Sequence, residues 1–224
     1  MSLKFYRDLI QGTDEWHAAR CGMVTASVAG KLLTSTLKVA DNESSRGVVL
    51  TLAAERITGY VDPTYCGSSM ERGHEDEPYA RDAYSEHVAP VDEAGFMVRD
   101  FGDYRIGYSP DGLVSVDGQI EVKSRLQKIH LRAILEDRVP AENMAQLQCG
   151  LLVSGRDWCD YVSFCGGMPL YVKRVYPDPI WHAAILAAVE TFEANVADIL
   201  ARYHEVVAGL PATERVNRDA EIEF

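Results

Sequence analysis

Several features that would mark a specialised protein are missing from this chain. Its five cysteines, Cys21, Cys66, Cys149, Cys159 and Cys165, include no Cys-x-x-Cys pair, which argues against a zinc site or an iron–sulfur cluster. No apolar run approaches the roughly 18 residues that a bilayer crossing needs. The opening MSLKFYRDLIQGTDEWH lacks the apolar centre of a secretory leader. Positive charge is scarce, with 22 Lys and Arg against 34 Asp and Glu, a formal charge of −12. That balance speaks against a protein that coats nucleic acid nonspecifically. It leaves room for a nuclease, whose metal-binding carboxylates are acidic while basic residues gather along one groove. No repeat, low-complexity tract or Pro/Gly/Ser linker divides the 224 residues. A single domain over residues 1–224 is expected, with reduced, mostly buried thiols, in the cytoplasm and without a membrane partner.

At 47% hydrophobic and 25% charged residues the chain has the composition of an ordinary globular protein. Residues 13 to 33 read as helical, with Thr13 capping DEWHAAR and a second helix starting near TASVAGKLL on Thr25 or Ser27. The polar segment 35–47 reads as a mobile loop. GVVLTLAAERIT has helical spacing and stops at Gly59. In the stretch 70–87, Pro78 belongs in a first helical turn, which would start the regular helix near Glu77. From 92 to 123, short Val/Ile/Tyr-rich runs punctuated by Gly and Asp predict an antiparallel meander, with VSVDGQIEV a hairpin around Asp117-Gly118. A helix over 141–153, two strands (WCDYVSFC and LYVKRVYP) and a long amphipathic helix from Pro179 follow. This order predicts an α/β protein with a mixed central sheet flanked by helices.

The segment GYSPDGLVSVDGQIEVKS, residues 107–124, concentrates the chemistry. Glu121 and Lys123 are two apart on one strand and share a face. The hairpin brings Asp111 beside them. Two carboxylates this close repel unless a cation lies between, and such hard oxygen ligands suit Mg²⁺ or Mn²⁺. The lysine can then orient a water or stabilise developing charge, a construction for metal-assisted phosphodiester hydrolysis. Alone the pattern is loose, since a surface hairpin with an ordinary ion pair also fits it.

Four stretches together carry more. QGTDEWHAARCGMVTAS (11–27), RGHEDEPYARDAY (72–84), SPDG with IEVK, and NMAQLQCGLLVSG (143–155) resemble, in order and spacing, motifs of the phage lambda exonuclease family. These are viral recombination nucleases of the PD-(D/E)xK superfamily. The resemblance spans nearly the whole chain and implies a PD-(D/E)xK nuclease-like fold. It implies catalytic roles for Asp111, Glu121 and Lys123, with Glu77 reaching the metal site directly or through water. Gln146 would place the nucleophilic water or the scissile phosphate. Asp111, Glu121, Glu77 and the main-chain carbonyl of Val122 would hold Mg²⁺ (or Mn²⁺), two ions per site. Arg20, Thr25 and Ser27 would form a pocket for a 5′-phosphate, Arg20 through its fork of donors and the other two at a helix start that favours an anion. Met70 falls where the family has an apolar wedge between terminal base pairs. Trp16 reads as core packing and Gln148 as structural. After Lys123, SRLQKIHLRAILEDRVP departs from the family pattern, with Arg125, Lys128 and Arg132 as candidate DNA contacts.

The expected activity is a Mg²⁺-dependent 5′→3′ exonuclease on linear double-stranded DNA. It would release mononucleotides and leave 3′ single-stranded tails for recombination by annealing. The implied partners are DNA ends, two further copies in a ring-shaped homotrimer, and a phage single-strand annealing protein. The alternatives are a catalytically weak end-binding scaffold and an endonuclease of the same superfamily.

Overall fold

The computed structural model describes residues 2–63 and 67–216, so the thiol of Cys66 lies outside the described residues. In chain order the elements are β1 (Ser2–Tyr6), α1 (Asp14–Arg20), β2 (Val24–Thr25), α2 (Ala26–Ala29), a 3-10 turn (Gly30–Leu32), α3 (Glu43–Thr58) and α4 (Ser68–His87). Then come β3 (Phe96–Asp100), β4 (Arg105–Tyr108), β5 (Gly112–Val114), β6 (Gly118–Ser124), α5 (Gln127–Glu136), α6 (Ala141–Ser154), β7 (Trp158–Phe164), β8 (Tyr171–Val175) and α7 (Pro179–Val206). The class is mixed α/β, as the alternation of patterns predicted.

The strands divide between two four-stranded sheets, ordered β1-β3-β4-β2 and β5-β6-β7-β8. Each combines antiparallel pairs with one parallel pair, β2 with β4 and β6 with β7. The expected meander is therefore broken. The chain leaves the first sheet after Tyr108 and enters the second at Gly112. Pro110 lies at the break, where a residue without an N–H cannot extend a ladder. An isolated bridge between Asp92 and Leu113 ties the seam. The β5–β6 hairpin also turns earlier than Asp117-Gly118. Ser115 takes the left-handed conformation (φ 55°), and Gly118 is the first residue of β6, where a Cβ would collide with the Trp158 ring.

One loop expectation and two helical ones change. The segment expected to be a mobile loop is a bonded turn, with Thr34 N–H on Lys38 O at 2.8 Å and Lys38 N–H on Thr34 Oγ1 at 3.1 Å. Helix α3 then starts at Glu43 rather than Gly47, because Asn42 and Ser45 form a reciprocal cap (3.0 and 2.9 Å). Pro78 lies inside α4, not in its first turn. That costs one main-chain bond, but α4 is pinned from outside. Its Ala80 is fully buried, and Tyr84 donates to Asp160 Oδ2 on β7 at 2.7 Å. β1 and α5 were not anticipated. α5 buries Ala133 and His130, whose ring nitrogens bond Ser163 Oγ (2.8 Å) and Pro169 O (2.9 Å).

Helix α7 buries Ile185, Val189, Phe192 and Val196, a three-to-four spacing that forms one stripe, and packs with α3 and α6 over the first sheet. Helix α4 covers β6 on the second. Cys149, Cys159 and Cys165 are buried free thiols and Cys21 is half-buried. No helix among the described residues is long and apolar enough to cross a membrane.

Candidate active site

Pairing of Gly112 with Ile120 sets Asp111 beside Glu121. Asp111 Oδ2 accepts the Val122 N–H at 2.7 Å. Glu121 is 1% exposed and surrounded by donors. Its Oε1 accepts from Lys123 Nζ at 2.7 Å and from Gln146 Nε2 on α6, and its Oε2 accepts from the Tyr108 hydroxyl at 3.2 Å. Burial, and then the Glu121 charge, push the Asp111 carboxyl well above its ordinary range. Burial alone would lower Lys123, but Glu121 and Asp111 outweigh it and hold the ammonium above its usual value. Burial and Glu121 likewise keep the Tyr108 phenol protonated.

Glu77 faces the same cleft from α4. It pairs with Arg81 at 3.3 Å, and Arg81 also donates to the Asp111 carbonyl at 3.3 Å, which ties α4 to the turn before β5. Burial raises the Glu77 carboxyl, Arg81 opposes this, and Glu121 adds to the rise. Among the described residues no three His, Cys, Asp or Glu side chains stand close enough together to hold an ion by themselves. The pair Asp111–Glu121 supplies two carboxylates, and the other acid of the cleft, Glu77, is paired with Arg81. The pair still fits a hard divalent cation. Its oxygens are of the right type, and the crowding that raises Asp111 is what a cation between them would relieve.

The other side of the cleft gathers a guanidinium and two hydroxyls, groups that can donate to an anion. Thr13 caps α1 by accepting the Trp16 N–H at 3.3 Å, and Arg20 leaves the far end of that helix. The Arg20 guanidinium lies 4.0 Å over the Trp16 ring and donates to Thr25 Oγ1 at 3.2 Å, which is 3.1 Å from Ser27 Oγ. Burial lowers Arg20, with Glu55 opposing, and a guanidinium remains charged. Helix α2 is a single turn, so its dipole adds less here than expected. Arg20 and the two hydroxyls carry the pocket.

One cleft of about 390 Å³ gathers all of these groups. It takes in Asp111, Glu121, Val122, Lys123, Glu77 and Gln146 on one side, Arg20, Thr25 and Ser27 on the other, and Met70 at its edge. Met70 is 47% exposed and so is not core filler. A larger groove of about 590 Å³ runs between α3 and α7, but its lining is mostly apolar, with no close pair of buried acids. Gln148 instead bonds Tyr176 O and Asp178 N, both at 2.9 Å, away from the cleft. Arg125 and Lys128 line a separate pocket with Arg72.

Tyr108 and His74 line the cleft although the sequence did not single them out, and Trp16 lines it too while packing in a core cluster with Met23, Phe96 and Val98, as expected. For Tyr108 the available signal was its place three residues before Asp111. For His74 it was a position one turn before Glu77 on the same helix.

A buried acid pair and lysine on a hairpin, covered by a helix that brings a further acid, within a mixed α/β fold, define the PD-(D/E)xK nuclease class. Residues 15–157 match the YqaJ-like viral recombinase domain, and the chain belongs to that family. Among solved structures it is similar to the alkaline exonuclease LHK-Exo from Laribacter hongkongensis, with 30% identity over 89% of this chain and 100% of that one and a TM-score of 0.78. The complex of LHK-Exo with dAMP matches at 31% identity over the same shares, with a TM-score of 0.77. A phage related exonuclease from Haemophilus somnus, 14% identical over 81% of this chain and 96% of that one (TM-score 0.60), shares the fold. No curated protein matches the chain.

Proposed function

We propose that this nuclease is a divalent-metal-dependent 5′→3′ exonuclease acting on linear double-stranded DNA. The observation that carries the reading is that a buried acid pair and an anion pocket share one cleft. A 5′-phosphate held by Arg20, Thr25 and Ser27 presents the first phosphodiester of that strand to Asp111, Glu121 and Lys123. A Mg²⁺ or Mn²⁺ ion, or two, bound by Asp111, Glu121 and the Val122 carbonyl, with Glu77 through water, would polarise the phosphoryl oxygens and supply a nucleophilic water.

Each side chain then has a definite task. Lys123 neutralises charge that grows on the phosphoryl oxygens. Gln146, already on Glu121, has an amide to orient the water. Met70, exposed beside the pocket, fits an apolar wedge at the end of the duplex. The dAMP complex of LHK-Exo supports a mononucleotide as the released product. Residues 1–224 would work as one domain, in the host cytoplasm. The resemblance to the lambda family supports a ring-shaped homotrimer and a single-strand annealing partner, with the acidic exterior turned away from DNA.

The test uses a linear duplex labelled on each strand in turn, with Mg²⁺ or EDTA and with 5′-phosphate or 5′-hydroxyl ends. Mononucleotides from the 5′-phosphorylated strand, lost with EDTA and in Asp111→Ala, are the expected result. Tight end binding without release under any divalent ion would replace this reading with an end-binding module. Cutting of a closed circle would replace it with an endonuclease.

A further inference from the structure

We propose that Tyr108 is a positioning residue for the metal-binding carboxylate of Glu121, an inference that rests on the metal-dependent reading of the cleft. Tyr108 is the last residue of β4, in the first sheet, and Glu121 lies on β6, in the second. Their 3.2 Å hydrogen bond crosses the seam between the sheets beside the turn that carries Asp111. It is made to Oε2, whereas both contacts from groups of the cleft chemistry, Lys123 and Gln146, are made to Oε1. A carboxylate held by one oxygen alone can swing about its last bond. Held by both, it keeps its plane when Lys123 or Gln146 turns towards a substrate.

The fit around the ring supports this role. Tyr108 is 1% exposed and lies against Gly150 of α6, one helical turn beyond Gln146. A Cβ on Gly150 would come within 2.7 Å of the ring Cζ and within 3.0 Å of two further ring atoms. The absence of a side chain at 150 thus lets the phenol reach Glu121 on the same helix face that delivers Gln146 to it. A phenylalanine would fill the same space, so packing alone does not call for the hydroxyl. Partners that orient metal ligands typically contribute about 10- to 100-fold to affinity.

The experiment is a calorimetric Mn²⁺ titration of the full-length protein without DNA, for wild type, Tyr108→Phe and Tyr84→Phe. Tyr84→Phe is the control, because it removes a phenol hydroxyl bonded to the buried Asp160, away from the cleft. The expected result is an affinity roughly tenfold weaker in Tyr108→Phe and unchanged in Tyr84→Phe. Nuclease activity in Tyr108→Phe should recover as the metal concentration is raised. Wild-type affinity in Tyr108→Phe, or equal weakening in both variants, overturns the assignment. Should Tyr108→Phe not fold, Gly150→Ala displaces the same ring while keeping its hydroxyl. Weakened binding there supports the assignment and unchanged binding overturns it. A wild type that binds no Mn²⁺ overturns the metal reading and this inference together. An unchanged Tyr108→Phe overturns only the inference.

Discussion

The indole N–H of Trp16 donates to Ser109 Oγ at 3.0 Å across 93 positions of sequence. The same ring carries the Arg20 guanidinium at 4.0 Å. One side chain therefore joins Arg20 to the turn that presents Asp111. Arg20→Lys keeps the charge but loses the fork and the stacking. Preference for 5′-phosphorylated over 5′-hydroxyl ends is expected to fall roughly tenfold, with little change in rate on 5′-hydroxyl ends. Competition between the two labelled duplexes measures it.

Asp111→Asn should separate chemistry from folding. The amide oxygen can still accept the Val122 N–H, and a carboxyl whose ionised form burial and Glu121 disfavour is gone. Activity is expected to drop about 1,000-fold or more. Stability at neutral pH should hold or rise, by up to about 2 kcal/mol, and the gain in Tm on adding Mg²⁺ should disappear. Denaturant melts with and without Mg²⁺ check both parts.

The folded protein keeps protons on Asp111 and Glu77 that the unfolded chain gives up, since both carboxyls are raised. The stability they contribute is present below the unfolded value of about 4 and is lost as pH rises through the folded-state values. In EDTA, this contribution to Tm should decline as pH rises above about 4. Mg²⁺ should raise Tm more at the alkaline end, and Asp111→Asn should flatten the slope. Calorimetry across pH with each additive gives the answer, and a slope in Asp111→Asn equal to wild type would exclude the acid pair as its source.

Helix α4 depends on its outer anchor. Tyr84 donates to Asp160 Oδ2 at 2.7 Å, and Arg174 closes a two-point pair on the same carboxylate at 2.8 and 2.9 Å. Tyr84→Phe is expected to cost about 1.5–3 kcal/mol. Activity should be retained well below the melting temperature. Chemical denaturation measures the loss.

Met70 is exposed at the cleft edge, so Met70→Ala should change stability by less than about 0.5 kcal/mol. Its effect should fall on initiation at fully paired ends and spare ends with a few unpaired 5′ nucleotides. Equal initiation by wild type and variant on both ends would remove the wedge.

What the sequence disclosed was short in range. Asp111, Glu121 and Lys123 lie within one hairpin, so strand alternation alone places them together, and Thr13 and Gly59 mark helix ends by local rules. Pro78 misled because local rules know nothing of the anchors that hold α4, which runs unbroken across it. α5 was hidden because its burial rests on a histidine paired to distant Ser163 and Pro169. The break between the sheets could have been suspected at Pro110, but no local pattern says which sheet receives the next strand. Tyr108 on Glu121 and Trp16 on Ser109 are products of tertiary folding, which no window on the sequence contains.

The division of strands between two sheets has one more consequence. Thr25 ends β2 of the first sheet, while Glu121 and Lys123 stand on β6 of the second. On the proposed reading, the gap from anchored phosphate to cleaved bond is then a gauge set by how the two sheets meet. Substitutions along that joint, far from any reacting atom, would alter the length of the piece cut off as well as the speed of cutting.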